Sequence, residues 1–243
     1  MRDHLPVGQG RQLIRETDFT TPVRTRPGPL SRKGDLRSQK LKTVCIPCNT
    51  GWMSKIQDQT KPILSPLLLR EQRVLTEADQ RALAVWLAMF TMNYETTVPE
   101  YAASTIEQRM AFKEQRQPPK NWIFWCAPFD GKSSPALQTG FGSKKRSPIL
   151  GDGGAKINKG CLTMCGAGAV SFAVFSVDSS DSFQAFSEFI TMIVEHVRFT
   201  RLWPTTGGGI QVTDGRLSPL IYLDFVAIQD AVRDGIGVVR SRH

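Results

Sequence analysis

The sequence predicts an α+β chain, with a small N-terminal module over residues 1–70 and a body over residues 71–243 in which helices precede a mixed α+β region. Three observations predict it. Apolar residues crowd a helical stretch over Arg81–Asn93. An aromatic run over Asn121–Ala127 opens a strand-rich second half. The first 44 residues show no sustained period. The chain has 243 residues, of which 40% are hydrophobic and 22% charged. That is the balance of a globular protein and excludes a wholly disordered or collagen-like chain.

Each element follows in order. Pro22, Pro27, Gly28, Pro29 and Gly34 break any element in the opening segment, which reads as a long arm. Residues 41–48 read as a short strand running into a turn, and Asn49-Thr50 as the cap of a helix through Gly51, Trp52, Met53 and Ile56. Pro62 opens a second helical piece, Ile63–Arg70. Thr76 with Asp79 three residues on forms a capping pair ahead of Arg81–Asn93, whose Leu83, Val85, Trp86, Met89 and Phe90 make it apolar almost all round and so buried. Pro99 and Glu100 open a further helix, Tyr101–Arg116, with Ala102, Ile106, Met110 and Phe112 as its apolar side. Strands are expected over Asn121–Ala127, Gln138–Ser143 and Cys161–Val177, and a helix over Phe183–Val197 capped by Ser182. Phe199–Pro204 and Gly209–Thr213 read as edge pieces, Leu220–Ala227 as a strand and Ile228–Arg233 as helical. There is no internal repeat.

The net charge is +9, and it is unevenly spread. Residues 1–44 carry ten basic side chains against four acidic ones, so this short arm holds +6 of the excess. Polyanions are the natural partners of such a segment, with Arg24, Arg26, Arg32 and Lys33 as candidate phosphate contacts on DNA, although a basic tail also serves solubility alone. Residues 1–20 are polar and lack the apolar stretch of a signal peptide, and no apolar run approaches the roughly 20 residues of a membrane span. The expected location is the cytoplasm, with no membrane partner. Five cysteines, an odd number, argue against a disulfide framework.

The stretch with most chemical content is Cys45-Ile46-Pro47-Cys48-Asn49-Thr50-Gly51-Trp52-Met53-Ser54. A Cys-x-x-Cys turn aims two thiolates at one point, one edge of a tetrahedral zinc site, and it also suits a redox pair. With Asn-x-Gly-Trp-Met directly after it, the stretch resembles a group of HNH-type endonucleases of bacteria and phages. That group carries Cys-x-x-Cys-Asn-x-Gly-Trp-Met and an upstream acidic-His-x-x-Pro element, which here reads Asp3-His4-Leu5-Pro6 with the proline one place closer. The likeness covers about residues 3–6 and 42–68, with Trp203-Pro204 as a looser echo.

The resemblance implies a treble-clef, ββα-metal module at the N-terminus. It implies a structural Zn²⁺ with Cys45 and Cys48 among its ligands, and a catalytic Mg²⁺ or Mn²⁺ held by Asp3 and Asn49. It implies His4 as the general base that takes a proton from water. Two departures qualify it. The family's earlier Cys-x-x-Cys, upstream of the acidic-His pair, has no counterpart in this sequence, and Gln57 stands where the family commonly has Glu. A start upstream of Met1 would supply the missing pair. A degenerate, non-cleaving relative would lack it. Remote ligands such as Cys161, Cys165 or His196 would replace it. With two ligands in place, weak zinc binding and little cutting are expected of the chain as given.

Elsewhere the plainer readings lead. Cys126, Cys161 and Cys165 read as small core residues, His196 as a structural histidine in apolar surroundings, and Trp52 and Met53 as core anchors of their helix. Gly207-Gly208-Gly209 lacks the Lys-Ser/Thr of a phosphate loop, and Lys144-Lys145-Arg146 reads as a solvated turn that can add a phosphate contact. The leading expectation is an HNH-type nuclease acting on DNA. The alternatives are a non-catalytic nucleic-acid-binding protein with a degenerate zinc finger, and an accessory protein unrelated to nucleic acid.

Overall fold

A computed structural model describes residues 44–97, 99, 102–145, 156–212 and 218–240. Asp3, His4, Arg24, Arg26, Arg32 and Lys33 lie outside the described residues, as does the expected hairpin of the treble clef. The fold is α+β. A helical turn, α1 (Ile46–Cys48), runs through a wide π-type turn over Asn49–Met53 into α2 (Ser54–Leu68). Then come β1 (Val74–Leu75), α3 (Glu77–Glu95), α4 (Ile106–Gln115), β2 (Ile123–Pro128), β3 (Ala136–Lys145), β4 (Lys156–Ala167) and β5 (Val170–Val177). The chain continues through α5 (Ser180–His196), β6 (Thr200–Trp203), β7 (Ile210–Gln211) and α6 (Tyr222–Arg240).

The main sheet is antiparallel with strand order β3-β4-β5-β2-β6, so the short β6 lies at an edge, as its sequence suggests. β1 and β7 form a separate two-stranded ribbon. Every residue of β5 is buried, the pattern of a strand covered on both faces. Phe172 and Phe175 of β5 are three apart and therefore point to opposite faces. Phe172 meets Trp86 of α3, whereas Phe175 meets Phe183 of α5. The sheet thus lies between α3 on one side and α5 on the other. Trp125 of β2 pairs with Ala173 across the strands and donates its indole N–H to Glu195 of α5 at 3.1 Å.

On the α3 face, the carboxylate of Glu95 is fully buried. It accepts hydrogen bonds from the Ser176 hydroxyl at 2.8 Å, from the Ser104 N–H at 3.0 Å and hydroxyl, and from Arg109 at 3.3 Å. One carboxylate therefore joins α3, α4, the segment between them and the sheet. Helix α3 begins where Thr76 and Asp79 close a reciprocal capping box, and Asp79 also pairs with Arg73 at 3.0 Å.

Several local expectations are corrected. Pro47, at a first-turn position where its missing N–H is no loss, makes residues 46–48 helical instead of extended. Pro62 and Pro66 lie inside α2 and do not divide it. Helix α4 starts at Ile106, not Tyr101, because Thr105 and Gln108 form its capping box. Ile106 and Met110 of its supposed apolar side are exposed, and only Phe112 is buried. The run Cys161–Val177 is two strands, turned at Gly168-Ala169 with Gly168 at φ 53°. Ser179, not Ser182, caps α5. Leu220–Ala227 is no strand: Phe225, Ile228 and Val232 recur at helical spacing on the buried side of α6.

Met53, Ile56, Ile63 and Leu67 of the turn and α2 join the same hydrophobic core as the sheet. The end of α2 also grips the sheet, since the Ala169 N–H in the β4–β5 turn donates to the Leu68 carbonyl at 3.1 Å. No helix among the described residues is long and apolar enough to cross a membrane.

Candidate functional site

Cys45 stands at the N-cap of α1 in extended backbone, and Cys48 lies one turn later. The helix widens directly after it. Gly51 has ψ −106°, far from the helical value, and the Thr50 hydroxyl donates back to the Ile46 carbonyl at 2.9 Å. Such back-bonding is a common companion of helix bends. The bend carries Met53 into the core and leaves Asn49 exposed, with no side-chain hydrogen bond among the described residues. Cys45 is exposed and Cys48 half-buried, both as free thiols.

Trp52 docks this bend on α4. Its ring meets Phe112 edge-on at 5.9 Å between centroids, and the Arg116 guanidinium lies 4.2 Å from its ring centroid. Arg116 reaches that position from the left-handed residue that caps α4, at φ 54°. The Trp52 indole N–H is enclosed and makes no protein hydrogen bond of standard geometry. The Cys48 thiol is held below its ordinary value, first by the side chain of Cys45 and then by the nearby Trp52 indole. Burial opposes this, and the charges of Lys113 and Arg116 add smaller contributions in the lowering direction. The anionic form, which binds metal and attacks electrophiles, is thus favoured there.

The other cysteines differ. Burial pushes the Cys126 and Cys165 thiols up to about 12, and raises Cys161 well above its ordinary value with help from the buried Glu95 charge. Cys165 keeps some exposed surface as a residue, but its thiol is enclosed. At a pH of about 7.5, below the ordinary thiol value of about 8.5, iodoacetamide is therefore expected to alkylate Cys48 while sparing these three until the protein unfolds. Arg116→Gln moves the onset of Cys48 labelling to higher pH. Peptide mass mapping of the native protein checks both, and labelling of Cys126 as fast as Cys48 would contradict the burial argument.

Remote completion of the zinc site is not what the fold provides. Cys161 and Cys165 belong to β4 of the sheet. His196 lies exposed in the last turn of α5, and not in the apolar surroundings expected of it. No group of three or more His, Cys, Asp or Glu placed to hold a metal occurs among the described residues. The donor set in view is thus two thiols and the Asn49 amide, which is half of a closed zinc site and one oxygen ligand for a hard cation. Gln57 is exposed on α2. Sequence reasoning missed the cations that the fold gathers near Trp52, namely Lys55, Arg81, Lys113 and Arg116. They come from three separate segments, so no local motif announces them.

No family model matches the chain, and no curated protein or solved structure matches it at a significant level.

Proposed function

We propose that the chain is an HNH-type, metal-dependent endonuclease-like protein that acts on DNA in the cytoplasm. The observation that carries this reading is the placement of Cys45, Cys48 and Asn49 together at one accessible helix start, with Trp52 and Met53 behind them anchoring that start to the body. Cys45 and Cys48 would supply half of the ligands of a structural zinc, and Asn49 with Asp3 would supply oxygen ligands to a hard divalent ion. Such an ion would supply stabilisation of the charge developing on a phosphate. His4 accepts the proton of the attacking water. The Arg24, Arg26, Arg32 and Lys33 arm adds phosphate contacts that are blind to sequence.

A second reading is favoured by the donor count among the described residues: a non-catalytic nucleic-acid-binding protein with a degenerate zinc finger. Elemental analysis decides the zinc question. The chain as given is expected to hold little zinc, and a form carrying an added Cys-x-x-Cys ahead of Met1 should hold about one per chain and lose it with Cys45→Ser. Plasmid nicking by both forms with Mg²⁺ or Mn²⁺, and with chelator as control, decides between the two readings. Full zinc occupancy that survives Cys45→Ser would remove the proposed site.

A further inference from the structure

The Trp52 bend closes one end of a trough between α2 and α3 with a volume of about 520 Å³. Its rim carries Lys55 from α2, Arg81 from α3 and Arg116 from the end of α4, and no carboxylate lines it. Arg73, Arg109, Arg201 and Arg233 are each paired with a carboxylate. Lys55 and Arg81 are exposed and make no ion pair among the described residues, and Arg116 has only the Trp52 ring and the Phe112 carbonyl, at 3.4 Å.

Two acids at the start of α3 are committed elsewhere. Asp79 holds Arg73 and the Thr76 cap, and Glu77 accepts from the Gly208 N–H at 3.3 Å. Gln59 on the same wall adds a further donor. Between them the floor is apolar and low, formed in part by Ala78, Ala82 and Val85.

A ring of hydrogen-bond donors and cations without an acceptor charge recognises phosphate. The trough opens to solvent without a lid, which suits a polymer lying in it better than an enclosed small anion. We infer that this trough is the seat of a DNA strand, held through its phosphates by Lys55, Arg81 and Arg116. The inference rests on the nucleic-acid reading above and adds a binding surface separate from the N-terminal arm. The trough shares α2 and the Trp52 bend with the segment that carries Cys48 and Asn49.

The test is fluorescence anisotropy with labelled single-stranded and duplex DNA over a series of salt concentrations. It compares the full chain, Lys55→Gln/Arg81→Gln, and Lys132→Gln/Lys159→Gln as a control of equal charge loss at exposed sites. Because all four lysines and arginines are exposed, circular dichroism should show all three proteins folded. Loss of two phosphate contacts should reduce the slope of log affinity against log salt by about 1.8 on duplex or about 1.4 on single strands, with the control unchanged. A trough variant indistinguishable from the control, while the parent chain binds DNA, overturns the inference and leaves the nuclease reading standing. Displacement of DNA by a mononucleotide at equal phosphate concentration overturns it in favour of a small-ligand pocket. A parent chain that binds no DNA even at low salt overturns both readings.

Discussion

Glu95→Ala should lower the melting temperature by roughly 6–20 °C. Breaking a buried charged network by removing one partner destabilises by about 3–5 kcal/mol. In a chain of this size each kcal/mol shifts the midpoint by about 2–4 °C. The large effect has a specific origin. Glu95 is the common acceptor for Ser176, both donors of Ser104 and Arg109, so its loss removes four hydrogen bonds at once and leaves Ser176 only the Cys161 carbonyl at 3.3 Å. Arg109 can turn to solvent, because its side chain is 29% exposed, whereas Ser176 is fully buried. Glu95→Gln, which keeps an acceptor oxygen and the shape, should be clearly milder. Thermal melts of the two variants and the parent measure this. A Glu95→Ala protein as stable as its Gln counterpart would show that packing, not the network, dominates at this position.

The second large effect concerns chemistry. In a preparation that nicks plasmid, His4→Ala should slow cutting by about 10²–10⁴-fold, the usual contribution of a positioned general base. DNA affinity should not change, because the proposed phosphate contacts are made by other side chains. A neutral imidazole is required to accept the proton, so the parent rate should rise with pH through about 6.5, the ordinary histidine value, and then level off. Single-turnover nicking over a pH series, with anisotropy measured alongside, separates cutting from binding. Robust cutting by His4→Ala removes the base; inactivity of every form with every metal favours the binding-only reading.

Long, strongly patterned elements were the readable part of the fold. Thr76 and Asp79 mark the start of α3 because a capping box is a contact between neighbours in sequence. The strands β2 and β5 announce themselves through aromatic and β-branched runs buried on both faces. What failed was decided at longer range. Pro62 looks like a break, yet α2 runs through it, and its carbonyl accepts from Arg73 at 3.0 Å across the turn. The start of α6 is rich in strand-favouring residues, but Phe129 and Phe199 lie beside Phe225 and reward a helical spacing. The turn at Gly168 lacks the Asn-Gly or Asp-Gly pair that usually signals a hairpin. At the candidate site, the Cys-x-x-Cys pair could be read because its spacing is local. The cationic trough could not, since Lys55, Arg81 and Arg116 meet only after three helices have packed.

The grip of α2 on the β4–β5 turn bears on portability. A finger that folds by metal alone can be cut from one protein and grafted to another like a cassette. Here the helix that follows the cysteines surrenders Ile56, Ile63 and Leu67 to the common core, and its last carbonyl, that of Leu68, is tied to the hairpin tip. Excised at residue 70, the segment would expose that apolar face and lose its anchor. Its evolutionary unit of exchange is therefore the whole chain from the bend to the sheet, and a chimera that transplants the cysteines must carry the hairpin with them.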